Sequence, residues 1–164
     1  GCGLRCCEVS RLYVEDYDPI GLTLFVRGKS NHERTLPVPA TVAAALDSYL
    51  DHVGMTAGPL IRSELCTSHG VAAKTISGYM RRWMIDAGVK VRPLDGRSAH
   101  ALRRTAASDV ADEGYDIRVV QHMMGHERIE TTIRHYLRPI AMRQMREAME
   151  GRWYGEPPLK AVVG

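Results

Sequence analysis

The most informative stretch of the chain contains four short segments in a definite order: SAHALRR at residues 98–104, GYD at 114–116, MGH at 124–126 and RHY at 134–136. In the first segment, His100 and Arg103 are three residues apart, so on a helix both side chains project from one face and could meet a single phosphate. His126 follows a glycine that is expected to end a helix, which places it in a turn between two helices. Tyr136 comes near the end of the next short helix, where a side chain can reach a shared cleft.

Outward from these segments, hydrophobic periodicity and turn residues predict a mainly helical protein with a small antiparallel sheet. Helices are predicted at Leu4–Leu12, Pro39–His52, Val71–Ala87, Ser98–Glu113, Asp116–Met124, Ile129–Tyr136 and Pro139–Glu150. Strands are predicted at Leu22–Arg27 and Arg34–Val38, joined by a polar turn with Lys29 at or near its tip. The fold class expected from this order of elements is α+β.

Length and composition indicate one globular domain. The chain has 164 residues, of which 45% are hydrophobic and 25% are charged. No apolar run approaches the roughly 20 residues that cross a bilayer, and the first residues lack the basic-then-apolar order of a signal peptide. We therefore expect a cytoplasmic protein. Its four cysteines form no evenly spaced framework, so reduced thiols are expected.

The positive charge is concentrated in one part of the chain. The net charge is only +3, but Val71–Arg104 contains eight basic residues and two acidic ones. Such a run is often a solvated surface, and it is also the footprint of a protein that binds nucleic acid. Lys74, Arg81 and Arg82 are the candidates for contacts with a DNA backbone or major groove.

Metal and nucleotide chemistry find little support in the sequence. It has no glycine-rich phosphate loop and no cluster of carboxylates of the kind that metal-dependent nucleases need. His122, His126 and His135 invite comparison with a zinc site, but the helix break at Gly125 disrupts the ligand face. We expect no metal and no cofactor.

Taken together, the motifs resemble the tyrosine recombinases and phage integrases. The order His-x-x-Arg, Gly-His, Tyr over residues 100–136 looks like the second conserved box of that family. The segment GLRCCEVSRL at residues 3–12 is similar to the first box, and GKSNHERTLP at residues 28–37 is similar to the turn that carries the catalytic lysine. Three matches in the correct order span most of the chain. The resemblance implies the catalytic-domain fold of this family.

The same resemblance implies a reaction and its residues. Tyr136 would attack a DNA phosphate, giving a 3′-phosphotyrosine and a free 5′ hydroxyl, without metal or ATP. Guanidinium groups suit the charge of the transition state because they bind phosphate in a bidentate way. The resemblance implies that Arg5 and Arg103 neutralise this charge and that Glu8 supports the two arginines. His100 would assist proton transfer from the tyrosine, and Lys29 would protonate the leaving oxygen. His126 would donate a hydrogen bond to a non-bridging oxygen.

Domain organisation and partners are implied as well. Residues 1–150 would form the catalytic domain, without the family's N-terminal DNA-clamping domain, and residues 151–164 would be a tail that packs on a neighbouring protomer. The partners would be double-stranded DNA at an attachment-site core and further copies of the protein, in a tetramer at synapsis, with the isolated domain monomeric. The biological setting would be phage-type integration and excision in a bacterial host.

Two other functions compete with this interpretation. Asp116–Tyr136 also matches a helix, a glycine-containing turn and a second helix, which is typical of DNA-binding regulators without catalysis. A type IB topoisomerase would share the tyrosine chemistry. A regulator would bind duplex DNA without a covalent adduct, and a topoisomerase would relax supercoils without exchanging strands between sites.

Overall fold

The computed structural model describes residues 2–28, 32–63, 66–93 and 95–136, together with Met149, and at residues 66–68 and 135–136 it describes the backbone alone. The predicted helix at Pro139–Glu150 lies outside the described residues except for Met149. The predicted tail, residues 151–164, and Lys29 lie outside them as well. Within the described part, no helix is both long and apolar enough to span a membrane.

The first half of the chain forms a three-stranded antiparallel sheet flanked by helices. Its helices are α1 (Cys6–Val9) and α2 (Ala40–Val53), and a single 3-10 turn covers Val14–Asp16. The strands are β1 (Tyr17–Asp18), β2 (Thr23–Arg27) and β3 (Glu33–Pro37), in the order β1-β2-β3. The two-stranded pair β4 (Arg62–Ser63) and β5 (Cys66–Gly70) follows.

Alternation along the strands builds the core of this half. Successive side chains of a strand point to opposite faces, so every second residue is buried. In β2 the buried residues are Leu24 and Val26, and in β3 they are Arg34 and Leu36. Leu24 pairs with Leu36 and Val26 pairs with Arg34 across the two strands. An arginine therefore occupies a position that the pattern reserves for an apolar residue.

The second half of the chain is a helical bundle around a smaller core. Its helices are α3 (Ala73–Asp86), α4 (Ala99–Asp112), α5 (Ile117–Met124) and α6 (Ile129–Tyr136). Helix α4 packs against α3, α5 and α6, and α1 packs against α3. Ala107, Val120 and Met124 are buried between α4 and α5. This contact fixes the helix that carries His100 and Arg103 against the turn formed by Gly125 and His126.

Local capping explains where these helices begin and end. The Ser98 hydroxyl accepts a hydrogen bond from the N–H of Ala101 at 3.2 Å, and the Asp116 carboxylate accepts one from the N–H of Arg118 at 2.8 Å. Gly125 ends α5 in the left-handed conformation, with φ of 55°. The α+β class and these predicted boundaries are therefore confirmed to within about two residues.

Two details of the sequence prediction were wrong. Helix α1 covers Cys6–Val9 instead of Leu4–Leu12, because the chain leaves the helix and Leu12 accepts a backbone hydrogen bond from Leu60 at 2.8 Å. The short strands β1, β4 and β5 were not predicted. Strands β1 and β4 contain only two residues each, and β5 has the mainly polar sequence CTSHG, so none of them shows an alternation of apolar and polar residues.

Candidate active site

A buried carboxylate lies at the centre of the candidate site. Glu8 on α1 is only 2% exposed and accepts hydrogen bonds from three guanidinium groups. Arg5 Nη1 lies 2.8 Å from Oε1, and Arg103 Nη1 lies 3.4 Å from Oε2. Arg34 binds in a bidentate way, with Nη1 3.1 Å from Oε1 and Nη2 3.2 Å from Oε2. These four residues form what we call the Glu8 cluster, and they join α1, β3 and α4.

The carboxyl group of Glu8 is ionised at neutral pH. Burial raises its pKa, because a charge is costly away from water. Hydrogen bonds from the Arg34 guanidinium and from the backbone and side chain of Arg5 act in the opposite direction and outweigh burial, so the pKa lies below its ordinary value. One negative charge then faces three positive ones, and the Glu8 cluster keeps an excess of positive charge.

Arg103 connects the Glu8 cluster to the rest of the bundle. Its side chain on α4 is 2% exposed. Besides Glu8, it donates hydrogen bonds to the backbone carbonyl oxygens of Gly3 and Met124. A guanidinium with several fixed acceptors loses its freedom to rotate, since its donors are arranged in a rigid fork. Arg103 is therefore held in one orientation by segments that lie far apart in the sequence.

Arg5 is the most accessible arginine of the Glu8 cluster. It is the residue before the first turn of α1, and its backbone N–H donates to Glu8 Oε2 at 2.7 Å. The same carboxylate thus caps the helix and holds the Arg5 side chain, in the manner of a capping box. The side chain is 35% exposed, against 5% for Arg34. Of the three guanidinium groups, that of Arg5 is the best placed to meet a ligand from solution.

His126 lies in a turn that is fixed from two sides. Its backbone N–H donates to the carbonyl oxygen of Gln121 at 3.1 Å, and the Gln121 side chain donates to the carbonyl oxygen of His126 at 3.1 Å. Ring atom Nδ1 lies 3.0 Å from the hydroxyl of Thr132, which is fully buried on α6. The preceding residue, Gly125, lies directly against the guanidinium of Arg34. The Gly-His turn therefore borders the Glu8 cluster.

Two of the predicted catalytic side chains fall outside the described atoms. Lys29 belongs to residues 29–31, whose flanks are joined by a hydrogen bond from the N–H of Gly28 to the carbonyl oxygen of His32 at 2.8 Å. Tyr136 is the last residue of α6, one helical turn after Thr132, and its side chain is outside the described part. The roles of both residues remain predictions.

His100 occupies a different setting from Arg103. It lies one turn earlier on α4, and its side chain is exposed. Among the described residues, no hydrogen bond or ion pair links it to the Glu8 cluster. The shared helix face follows from the spacing, whereas the proton-transfer role stays a prediction.

Sequence reasoning did not single out Arg34 as a site residue. It appeared only as part of the hairpin motif, yet it makes a bidentate contact with Glu8. A signal existed: in the alternating pattern of β3, Arg34 falls on the same face as Leu36, which faces the core. A charged residue at an inward position has to find a partner of opposite charge.

The predicted DNA-contact residues lie on α3. We call Lys74, Arg81 and Arg82 the α3 basic face. Lys74 and Arg81 are two helical turns apart and line a cleft together with Lys90 and Arg97 from the segment before α4. Arg82 points elsewhere and pairs with Asp86, with Nε 3.1 Å from Oδ1. All three residues of this face are exposed.

No group of three or more potential metal ligands occurs among the described histidine, cysteine, aspartate and glutamate residues.

Comparison with known proteins identifies the family. The model of the phage integrase family matches residues 1–142. The chain belongs to the phage integrase family. Tyrosine recombinase XerC of Corynebacterium glutamicum is 32% identical over 135 residues, covering 79% of this chain and 41% of the relative. Tyrosine recombinase XerA of Pyrococcus furiosus is 30% identical over 152 residues, covering 92% and 50%. This integrase-family chain thus spans about half the length of these relatives or less.

Solved structures show the same fold. The crystal structure of XerA recombinase matches with a TM-score of 0.71 and 25% identity, covering 94% of this chain and 55% of the other. The Tn1549 transposon integrase, in complex with a circular intermediate DNA, matches with a TM-score of 0.75 and 20% identity, covering 92% and 55%. The resemblance to the tyrosine recombinases is therefore confirmed. The comparisons do not favour the regulator or the topoisomerase.

Proposed function

We propose that residues 1–150 form the catalytic domain of a site-specific recombinase that cuts and rejoins double-stranded DNA through Tyr136. The observation that carries the proposal is the Glu8 cluster, in which one buried carboxylate holds three guanidinium groups beside the Gly-His turn. Family membership gives the class of reaction, and the cluster supplies a preorganised, positively charged site of the kind that a phosphodiester requires.

The chemistry follows from the charge of the transition state. When a nucleophile attacks a phosphodiester, negative charge grows on the non-bridging oxygens, and fixed cations stabilise it without reorganisation. In the proposed reaction, Arg5 and Arg103 neutralise this charge, and His126 donates a hydrogen bond to a non-bridging oxygen. Glu8 keeps the arginines in place, since it binds both. Arg5, with the greatest exposure of the cluster, would make the most direct contact.

The bond changes involve Tyr136 and two proton carriers. The phenol oxygen of Tyr136 forms a bond to phosphorus, and its proton passes to His100, because a phenol is a weak nucleophile while it keeps its proton. The bond from phosphorus to the 5′ oxygen breaks, and Lys29 gives that oxygen a proton. The products are a 3′-phosphotyrosine and a 5′ hydroxyl. Attack by another 5′ hydroxyl reverses the steps and rejoins the strand without ATP.

Duplex DNA is the proposed substrate, bound partly by the α3 basic face. Lys74 and Arg81 line a basic cleft, and cations on a helix surface neutralise backbone phosphates. Two similar structures support this partner, since one contains a transposon integrase with circular intermediate DNA and another contains XerH recombinase bound to its difH substrate. For the whole protein we propose a tetramer at synapsis, with residues 151–164 packing on a neighbouring protomer, acting on attachment-site DNA in the host cytoplasm.

The test is capture of the covalent intermediate. The 164-residue chain is incubated with a pool of duplexes whose core sequence is randomised. Each duplex is nicked, so that the short fragment released by cleavage diffuses away and the adduct is trapped. A protein–DNA adduct that survives detergent is expected, and Tyr136→Phe should abolish it. Tyr115→Phe is the matched control, because Tyr115 is 59% exposed and lies two residues before α5, outside the Glu8 cluster.

Each competing function predicts a different result. A DNA-binding regulator would retain labelled duplex without any adduct. A topoisomerase would form the adduct and relax supercoiled plasmid, but would not exchange strands between two selected sites. Persistence of the adduct in Tyr136→Phe would refute Tyr136 as the nucleophile.

A further inference from the structure

Arg34 differs from the other arginines of the Glu8 cluster because it is buried and one of its donors is unpaired within the described part of the chain. Its side chain is 5% exposed, and it lies on the inward face of β3 opposite Val26. Both terminal nitrogens bind Glu8, while Nε has no hydrogen-bond partner among the described residues. A buried guanidinium with an unpaired donor costs stability, and a buried network of charges as a whole is often no more stable than well-packed apolar residues of similar volume. Stability alone therefore does not account for Arg34.

The Gly-His turn leaves room for the Arg34 guanidinium because Gly125 has no side chain. A Cβ atom added to Gly125 would lie 2.6 Å from Nη1, 2.9 Å from Cζ and 3.2 Å from Nε of Arg34. Gly125 also has a positive φ of 55°. Gly54 ends α2 with a similar φ of 62°, but an added Cβ there meets nothing within 4 Å. The close contact with Arg34 is thus specific to the turn that leads into His126.

Arg34 also belongs to the hairpin that carries Lys29. Strands β2 and β3 are paired from Thr23–Pro37 to Arg27–Glu33, so the backbone leading to residues 29–31 is held by a continuous ladder. Arg34 is the residue through which this ladder binds Glu8. One side chain therefore contacts the carboxylate that orients Arg5 and Arg103, lies against the turn before His126, and forms part of the hairpin of Lys29.

The geometry points to Arg34 as a positioning residue that aligns the Lys29 hairpin and the His126 turn with the arginines bound to Glu8. This role rests on the function proposed above. Arg34 acts through its neighbours and touches no reacting atom. Its removal leaves the phosphate-binding groups present but lets the hairpin shift, so that protonation of the leaving 5′ oxygen suffers more than DNA binding does.

The first test separates leaving-group protonation from the rest of the reaction. Cleavage is measured on nicked duplexes with either an ordinary 5′ oxygen or a bridging sulfur at the scissile position, because a thiolate leaves without being protonated. Arg34→Met should slow cleavage of ordinary DNA by about 100-fold, with DNA affinity nearly unchanged. The sulfur substrate should recover at least about tenfold of that loss. An equal loss on both substrates would overturn the role.

Controls separate this inference from the proposed function. Lys29→Ala should be rescued by sulfur at least as well as Arg34→Met. If wild type forms no adduct on either substrate, or if Lys29→Ala shows no rescue, the proposed chemistry has failed and not the role of Arg34. If Lys29→Ala is rescued and Arg34→Met is not, the role of Arg34 has failed while the chemistry stands.

The second test uses the two glycines, and its main comparison is made in the wild-type background, without Arg34→Met. Gly125→Ala and Gly54→Ala place the same side chain in the same left-handed conformation, but only the first displaces Arg34. Gly125→Ala should slow cleavage about tenfold, while Gly54→Ala leaves the rate unchanged. In the Arg34→Met background, Gly125→Ala should cost no more than about twofold. Equal effects of the two glycine variants on the wild-type rate would contradict the inference.

Discussion

The Glu8 cluster and the α3 basic face both concentrate positive charge, yet they are organised in opposite ways. In the cluster, three guanidinium groups share one buried carboxylate, and two of them are almost wholly removed from solvent. On the α3 basic face, Lys74 and Arg81 lie open to solution, and Arg82 has a single exposed partner, Asp86. The first arrangement fixes its charges before a ligand arrives, and the second leaves them to adapt.

The difference has energetic consequences. Removing one partner from a buried ion pair leaves uncompensated charge away from water, whereas exposed pairs are screened and contribute little. Substitutions in the Glu8 cluster should therefore change stability and catalysis together. Substitutions on the α3 basic face should change DNA affinity in proportion to the number of phosphates contacted, and should leave the fold intact.

The largest effect is expected for Glu8→Gln. The variant keeps the size of the side chain, but it removes the negative charge that faces Arg5, Arg34 and Arg103 and turns an amide N–H toward their donors. Loss of a buried charge partner costs about 3–5 kcal/mol, a large part of the stability of a domain. Urea unfolding followed by circular dichroism should show this loss, and adduct formation should fall below detection.

Glu113→Gln provides the control for that comparison. Glu113 is exposed at the end of α4, where a carboxylate contributes little. Its variant should unfold within about 0.5 kcal/mol of wild type. If Glu8→Gln lowered the free energy of unfolding as little as Glu113→Gln does, the expected difference between a buried and an exposed carboxylate would be wrong for this protein.

Lowering the pH should remove the difference in stability between wild type and Glu8→Gln. Because the pKa of Glu8 is lower in the folded chain, its ionised form stabilises the protein above the pKa of the unfolded state. That stability is complete above about pH 5 and is lost as the pH falls through the folded value. The urea midpoints of the two proteins should converge as the pH is lowered from 7 toward 3.

Other carboxylates do not disturb this comparison. A hydrogen bond from Lys90 lowers the pKa of Asp95, and one from Arg118 lowers the pKa of Asp116 to about 2. Both groups titrate alike in wild type and Glu8→Gln, so their contributions cancel in the difference. A gap between the midpoints that stayed constant from pH 7 to 3 would show that the charge of Glu8 is not what stabilises the cluster.

The contrast between the two sites also explains what the sequence could predict. Ser98, Asp116 and Gly125 cap or end helices through interactions with residues close in the chain, and the predicted boundaries of α4 and α5 were confirmed. The motifs brought Arg5, Glu8 and Arg103 into one hypothesis through resemblance, and the structure places them within hydrogen-bonding distance.

The role of Arg34 depended on information that no local pattern holds. Its bidentate contact with Glu8 joins residues 26 apart in the chain and needs both the register of β2 with β3 and the docking of α1. Gly125 was predicted correctly as a helix stop, but its contact with Arg34 follows only from tertiary packing. Helix α1 was overestimated at both ends, since Arg5 caps it and the Leu12 carbonyl oxygen is bound by the N–H of the distant Leu60.

Smaller effects are expected on the α3 basic face. Arg81→Ala should lower the affinity for duplex DNA uniformly across sequences and reduce the slope of log affinity against log salt by about 1, the signature of one lost phosphate contact. Fluorescence anisotropy with a labelled duplex, repeated over a series of salt concentrations, measures both. The unfolding midpoint should stay that of wild type, since Arg81 is exposed.

Arg82→Ala should have the smallest effect of all. The Arg82 guanidinium is held by Asp86, with Nε 3.1 and 3.2 Å from the two carboxylate oxygens, and Arg82 does not line the cleft that Lys74 shares with Arg81. Its charge is therefore partly neutralised before DNA arrives, and the salt slope should change by less than in Arg81→Ala. Asp86→Asn removes that competition and should tighten binding only while Arg82 is present. Equal salt slopes for Arg81→Ala and Arg82→Ala would show that the ion pair of Arg82 with Asp86 breaks readily when DNA binds. The charge of a residue on α3 would then matter more for DNA affinity than whether it lines the cleft.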